Sequence, residues 1–414
     1  MTIKSTFIWT SIHTAIKILS GIIMNKVIAV YLGPVGLAMI GQFQNFVAIV
    51  SSISNASIQT GILTQTAKFN NEHTQKIVWV NGLIINCFFA LLTSIFIFIF
   101  ANWLSKQIFF SINYINLIYI LSFSLIFYGL NLYILAIING LGNIKLYTII
   151  NMLISILTLI LVSVLTIFFK FEGAILGIIL TQSIVFIISY MMIYRHYKNS
   201  FFIFRLSLFD KSIFKTLLSY GLTSFLSGII VAISSIVVRI IIVNNSSLEN
   251  AGLWEAAIKI GFYFNMIFTL PISIFYLPKF STLNMKKEFF ILFKQAIVFI
   301  LPIMFLFVII FFIFKDFLIN LLFSNKFLAI TDFMIIILFA EILRVSISLF
   351  SNLLLSKKAF KEIIILEFLT TFLFVLYVYV FYDILGLFGL SLGYLIISFC
   401  MLFMYIYQVK RISF

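Results

Sequence analysis

Eight ionisable side chains sit in sequence where water cannot easily solvate them. Lys17, Lys26, Arg239, Lys259 and Arg344 fall inside long apolar runs, as do Glu255, Glu341 and Glu367, with Asp332 near the end of another. A charge at mid-bilayer costs about 2.5–3.5 kcal/mol on insertion scales, so it turns toward a cavity or a partner. Cations outnumber acids in this set, and a cavity lined mainly by Lys and Arg selects an anion. Both side chains suit phosphate oxygens. In a protein bathed in lipid, the natural anion is a phosphorylated lipid head group.

Spacing refines the set. Glu255 and Lys259 are i,i+4 with the acid first, the favourable order, and Glu341 and Arg344 are i,i+3. Each pair reads either as a satisfied ion pair that helps helices pack or as part of a cavity wall. Lys17 has no partner within its own helix and lies too deep to snorkel comfortably, whereas Lys26 is nearer the outer end. An ideal helix turns about 900° over the nine residues between them. They therefore point to opposite faces unless the helix bends near Gly21. Arg239, close to its helix end, reads as a snorkelling cation. His13, one turn before Lys17, either bonds a neighbour or titrates. Glu367 has no basic residue at i±3 or i±4, and a lone buried carboxylate suits a proton carrier. The expected substrate-binding set is Lys17, Lys26, Lys259, Arg344 and Arg239. The expected ion-pair or coupling set is Glu255, Glu341 and Glu367, with Glu367 the titrating site of a proton antiport. No metal site and no cofactor are expected.

The elements that must position these residues follow from composition. Hydrophobic residues make up 63% of the 414 and charged residues 9%, with a mean hydropathy of +1.22. A water-soluble fold cannot hide that much apolar side chain. A spanning helix needs roughly 20 apolar residues. Twelve runs meet this: 7–31, 37–61, 77–101, 115–139, 147–169, 173–194, 213–243, 250–278, 291–314, 329–355, 361–382 and 386–408. Pro34 falls in a turn between the first two. Cys87 and Cys400 each lie in an apolar run and imply neither a disulfide framework nor a metal site.

The net charge of +15 is no sign of nucleic-acid binding, because the basic residues sit in short loops. One alternating set of loops holds eighteen Lys and Arg, from Lys4 and Lys68 to Lys410 and Arg411. The other set holds only Lys106, Lys170, Lys315 and Lys326. The positive-inside rule puts the rich set, and both termini, in the cytoplasm.

The chain also repeats itself. Leu19-Ser20-Gly21-Ile22-Ile23 recurs as Leu226-Ser227-Gly228-Ile229-Ile230. Gly36-Leu37 recurs as Gly252-Leu253, Gly173-x-x-x-Gly177 as Gly389-x-x-x-Gly393, and Lys145 as Lys361, these last three at one offset of 216. Six spans per half imply repeats related by an axis along the membrane normal. The expected fold is an all-α integral membrane protein with twelve transmembrane helices in two six-helix bundles around a central cavity. Residues 1–194 form the first bundle, 195–212 a cytoplasmic connector and 213–414 the second bundle.

Several strings resemble a known family. Phe7-Ile8-Trp9-Thr10, Lys17, Lys26 and Gly33-Pro34-Val35-Gly36-Leu37 look like the start of Wzx-type flippases, which belong to the multidrug/oligosaccharidyl-lipid/polysaccharide exporter superfamily. Gly252-Leu253-Trp254-Glu255, Tyr276-Leu277-Pro278, Leu322-Phe323-Ser324-Asn325-Lys326-Phe327 and Glu341-Ile342-Leu343-Arg344 agree. The resemblance covers nearly the whole chain and implies a two-lobed transporter of the bacterial inner membrane. Such transporters carry undecaprenyl-diphosphate-linked oligosaccharide units, such as O-antigen repeats, to the periplasmic leaflet. Related lipid II flippases use cations on the first, second and eighth helices. Here Lys17, Lys26 and Lys259 lie on the first and eighth, and the second carries no charge. Gln42, Gln44, Asn45, Asn55 and Gln59 are then the polar groups left to hold sugar, or to pack helices. The implied partners are the lipid-linked oligosaccharide, the bilayer, and the pathway's polysaccharide polymerase and chain-length regulator. A monomer is expected.

Two rivals are weaker. An ion-coupled multidrug antiporter of the same superfamily needs acids to bind cations, and this interior is richer in Lys and Arg. A membrane-embedded O-antigen polymerase, an enzyme, needs a large periplasmic loop, and no external loop here is long enough to carry chemistry.

Overall fold

The computed structural model describes residues 3–69, 71–196, 206–281, 283, 285–357 and 359–411. Half of the expected 195–212 connector, residues 197–205, lies outside the described residues. So do the side chains of Lys4, Phe7, Ile8, Ser227, Leu277 and Pro278. Among the described residues the chain is helical throughout, without strands.

Nine helices among the described residues are long and apolar enough to cross a membrane. Three of them run to about fifty residues, twice what a bilayer needs: α1 (Ile3–Ser54), α6 (Ile144–His196) and α12 (Phe360–Arg411). Each contains one residue whose backbone leaves the helix: Gly33 (φ 66°, ψ −167°), Lys170 (φ 50°, ψ −129°) and Gly386 (φ 57°, ψ −144°). The chain folds back at the last two. A Cβ built on Gly173 would sit 1.9 Å from the Leu165 carbonyl oxygen, and one on Gly393 would sit 2.2 Å from the Tyr377 ring. Both residues face their own helix across the break. Nine apolar helices thus supply twelve spans, as the apolar runs predict.

The remaining elements are α2 (Gln59–Lys68), α3 (Glu72–Ile99), α4 (Ala101–Phe109), α5 (Ile115–Gly140), α7 (Lys211–Asn245), α8 (Leu248–Ser281), α9 (Lys286–Ile313), α10 (Lys315–Leu322) and α11 (Met334–Ser356). The expected 329–355 span starts late: residues 325–332 form a 3-10 segment, and Asp332 ends that segment rather than a membrane helix. The repeat is now visible as structure. From Ile144 to Phe360 and from Lys170 to Gly386 the step is 216 in both cases. One backbone break has been kept at one register in both halves, with lysine in the first copy and glycine in the second.

That asymmetry is testable. A left-handed conformation costs a non-glycine residue about 1–3 kcal/mol, and glycine adopts it freely. Lys170→Gly is expected to raise the unfolding midpoint of the purified protein by an amount equivalent to about 1 kcal/mol. A lowered midpoint would mean that the Lys170 ammonium, 5.0 Å from the Tyr31 ring centroid, contributes more than the strain costs.

Contacts divide the chain into two compact units, Met1–Leu32 with Met39–Ala232, and Gly33–Ala38 with Ile233–Phe414. In the first, α5 is the central helix, packed by α2, α3, α4 and α6; in the second, α11 holds that place against α8, α9 and α12. Buried Trp79 and Tyr133 lock the first core, where the Tyr133 hydroxyl donates to the Trp79 carbonyl (2.8 Å) and the Trp79 indole donates to Thr66 (3.2 Å). Outer faces keep Phe123, Phe168 and Phe299 uncovered, a surface suited to lipid. Inside the second unit, three stretches that carry the family resemblance meet. A Cβ on Gly252 would sit 1.9 Å from the Pro34 carbonyl oxygen, and one on Gly33 would sit 3.8 Å from Lys326 Cδ.

Candidate functional site

α7 ends at Asn245 and α8 begins at Leu248, and the short turn between them decides which residues meet. Arg239 lies eight residues before Ser247 and Glu255 eight after it, so the two fall opposite each other. An Arg239 Nη2 hydrogen donates to Glu255 Oε2. Lys259, one turn further along α8, brings its Nζ to 3.8 Å from Glu255 Oε1. All three side chains are withdrawn from solvent, Arg239 to 4% exposure, Lys259 to 14% and Glu255 to 15%. The expectation that Arg239 snorkels is therefore wrong: α8 supplies a carboxylate that holds it inside. One carboxylate now serves two cations, which leaves the group a net positive charge.

A second group centres on Glu341 of α11, which is 4% exposed. Its Oε2 accepts from Asn265 Nδ2 (2.7 Å) and its Oε1 from the Tyr394 hydroxyl (2.7 Å). Gly261 of α8 allows the approach, since a Cβ there would sit 3.2 Å from Glu341 Oε1. The anticipated Glu341–Arg344 ion pair does not form among the described residues. At i,i+3 the guanidinium instead lies over the Tyr394 ring, 4.8 Å from its centroid, a cation–π contact. Glu341, Glu367 and Tyr394 all act on it electrostatically. The Glu367 carboxylate makes no ion pair among the described residues, though Arg344 on the neighbouring helix acts on it electrostatically.

Lys17, Lys26 and His13 belong to the first unit. α1 runs helically through Gly21 and breaks only at Gly33, so Lys17 and Lys26 stay on different faces. Lys17 is exposed, Lys26 and His13 are half-buried, and His13 lies within electrostatic reach of Lys17. Of the polar groups on the charge-free second span, Gln42 and Asn55 are buried, while Gln44, Asn45 and Gln59 are partly covered. Among the described residues no cluster of His, Cys, Asp and Glu could hold a metal ion.

A family model for polysaccharide biosynthesis proteins matches residues 3–284. The chain belongs to that family. It is 24% identical over 373 residues to the Lipid III flippase of Escherichia coli (strain K12), covering 89% of this chain and 88% of that one. Its fold matches an inward-facing multidrug resistance MATE family transporter of the MOP superfamily (TM-score 0.78, 17% identity, 98% of each chain). It also matches the Lipid II flippase MurJ in an inward closed conformation (TM-score 0.75, 14% identity, 98% of this chain and 87% of that one). This polysaccharide biosynthesis protein is thus a multi-pass membrane protein with the fold of that superfamily, and the proteins it resembles are transporters, not enzymes.

Asn265 and Tyr394 went unnoticed in the sequence of this family member because neither is charged and neither is near Glu341 in the chain. The Arg239–Glu255 contact did leave a signal, the equal spacing about the α7–α8 turn.

Proposed function

We propose that this chain is a flippase that carries an undecaprenyl-diphosphate-linked O-antigen repeat unit from the cytoplasmic to the periplasmic leaflet of the bacterial inner membrane. It works by alternating access of two six-helix bundles, residues 1–194 and 213–414, joined by a cytoplasmic connector, with both termini in the cytoplasm. The observation that carries the reading is the charge imbalance of the Arg239–Glu255–Lys259 group. Two cations that share one carboxylate inside a membrane span are stabilised when an anion arrives, and a diphosphate supplies two charges and several acceptors. Family membership and the Lipid III flippase relative agree with such a cargo. Lys17, Lys26 and Arg344 complete the cationic set, and Glu255, Glu341 and Glu367 are the groups available for coupling.

Lys17 gives the cleanest test, because its side chain is exposed and supports no core. Lys17→Ala is expected to leave membrane abundance unchanged, as surface substitutions alter stability by about 0.5 kcal/mol or less. It is expected to lower transport about tenfold or more, the loss of one charge-assisted contact. Lys17→Arg should keep part of the activity. The readout is surface O-antigen on a gel ladder beside protein abundance. A normal ladder at normal abundance removes Lys17 from the head-group site.

A further inference from the structure

The second unit has a cationic edge on its uncovered side that the flippase reading leaves unused. α9 begins with Lys286 and Lys287, and an exposed stripe runs along it through Lys287, Ile291, Lys294 and Val298. Steps of four, three and four residues keep these side chains on one helix face. Lys294 stands about 10 Å further along the helix than Lys287, inside the apolar run 291–314. Beyond it the uncovered face is apolar, beginning with Val298 and Phe299. A lysine at that depth, with lipid against its face, is costly unless its ammonium snorkels to an anion or to water.

The end of α12 adjoins this stripe. Lys286 Nζ donates to the Lys410 carbonyl (2.7 Å), which brings Lys410 and Arg411, both exposed, beside the first turn of α9. The Arg411 guanidinium lies over the exposed Tyr407 ring, 5.3 Å from its centroid, and exposed Phe403 continues that face one turn deeper. A bond to a carbonyl leaves the Lys286 charge in place. Acids are scarce here. α9 holds only Glu288, whose Oε2 accepts from the Met285 N–H as a cap (3.3 Å), and no Asp or Glu follows Asp383 in the sequence. The first copy of the repeat is different. α9 and α10 begin 214 residues after α3 and α4. That register sets Glu72 and His73 against Lys286 and Lys287, and buried Val80 against Lys294. The fold itself therefore does not require these cations.

We propose that the adjoining ends of α9 and α12 form a lateral site for an anionic phospholipid of the surrounding bilayer. Its phosphodiester head group meets Lys287, Lys294, Lys410 and Arg411, and its acyl chains lie along Val298 and Phe403. The order of the groups matches such a lipid, with cations toward the helix ends and uncovered apolar surface deeper in the membrane. Basic clusters between membrane helices hold anionic lipids through the same combination. A soluble anion would use the cations but gain nothing from the apolar half. The site does not depend on the nature of the cargo.

The test is native mass spectrometry of the purified full-length protein titrated with phosphatidylglycerol, with phosphatidylcholine, or with soluble glycerol phosphate. On wild type the first phosphatidylglycerol is expected to bind about tenfold or more tightly than the first phosphatidylcholine, with no comparable uptake of glycerol phosphate. Lys287→Gln with Lys294→Gln should weaken that first event about tenfold or more. Lys68→Gln with Lys215→Gln removes the same charge from exposed lysines of the first unit and should leave it unchanged. Equal affinity of wild type for the two lipids overturns the proposal, and that comparison needs no variant to fold. Equal weakening by the two double variants also overturns it, because net charge and not a site would then attract the lipid. Glycerol phosphate that binds as tightly as the lipid overturns the lateral lipid and leaves a site for a soluble anion.

Discussion

Glu255→Gln is expected to be the most damaging single charge substitution in the chain. It takes from Arg239 and Lys259 the one carboxylate that they share. Removing one partner of a buried ion pair costs about 3–5 kcal/mol, and here two cations lose the same partner. Transport should fall to background and the unfolding midpoint should drop sharply. Lys259→Gln should be milder, because Glu255 keeps Arg239. The double variant Glu255→Gln with Lys259→Gln should recover part of the stability, since one cation rather than two then loses Glu255. The measurement is thermal unfolding of purified variants together with membrane abundance. Additive effects would mean that the two α8 residues act independently. Equal damage from the two singles would mean that Glu255 and Lys259 form a private pair and that Arg239 is a bystander.

The difference between what sequence reveals and what it hides lies in the range of the interaction. The twelve spans were legible because burial in lipid demands long apolar runs, which no later packing can erase. The breaks at Lys170 and Gly386 were legible only as the ends of two runs; their shared geometry is a backbone property that side-chain type does not announce, least of all at a lysine. The i,i+3 and i,i+4 rules paired Glu255 with Lys259 correctly. They failed for Glu341 and Arg344, where a tyrosine ring from α12 lies against the guanidinium and an amide from α8 bonds the carboxylate. A local rule assumes that no third helix competes. In a polytopic protein each buried polar group is surrounded by other helices, and the strongest donor in reach wins wherever it lies in sequence.

The last expected result separates Glu341 from Glu367. Glu341 accepts two hydrogen bonds inside a buried network, whereas the Glu367 carboxylate is half-buried and makes no hydrogen bond among the described residues. Glu341→Ala leaves both the Asn265 and the Tyr394 donors without an acceptor, at a cost of about 1–3 kcal/mol for each. Glu341→Gln keeps the volume but turns an amide donor toward one of the two existing donors, which costs about 1–3 kcal/mol. Tyr394→Phe removes a single bond and should cost about 1 kcal/mol. The unfolding midpoints should therefore fall in the order wild type, Tyr394→Phe, Glu341→Gln, Glu341→Ala. Glu367→Gln should unfold near wild type, because no bond of its side chain is lost. If protons drive the transport cycle, the group that exchanges them must be reachable and loosely held, which favours Glu367 over Glu341. In liposomes with and without a pH gradient, Glu367→Gln is then expected to transport at a rate indifferent to the gradient, while Tyr394→Phe still responds to it. A wild type that ignores the gradient excludes proton coupling altogether. A Glu341→Ala protein as stable as wild type would instead show that the network holds nothing together, and would make Glu341 the exchangeable acid.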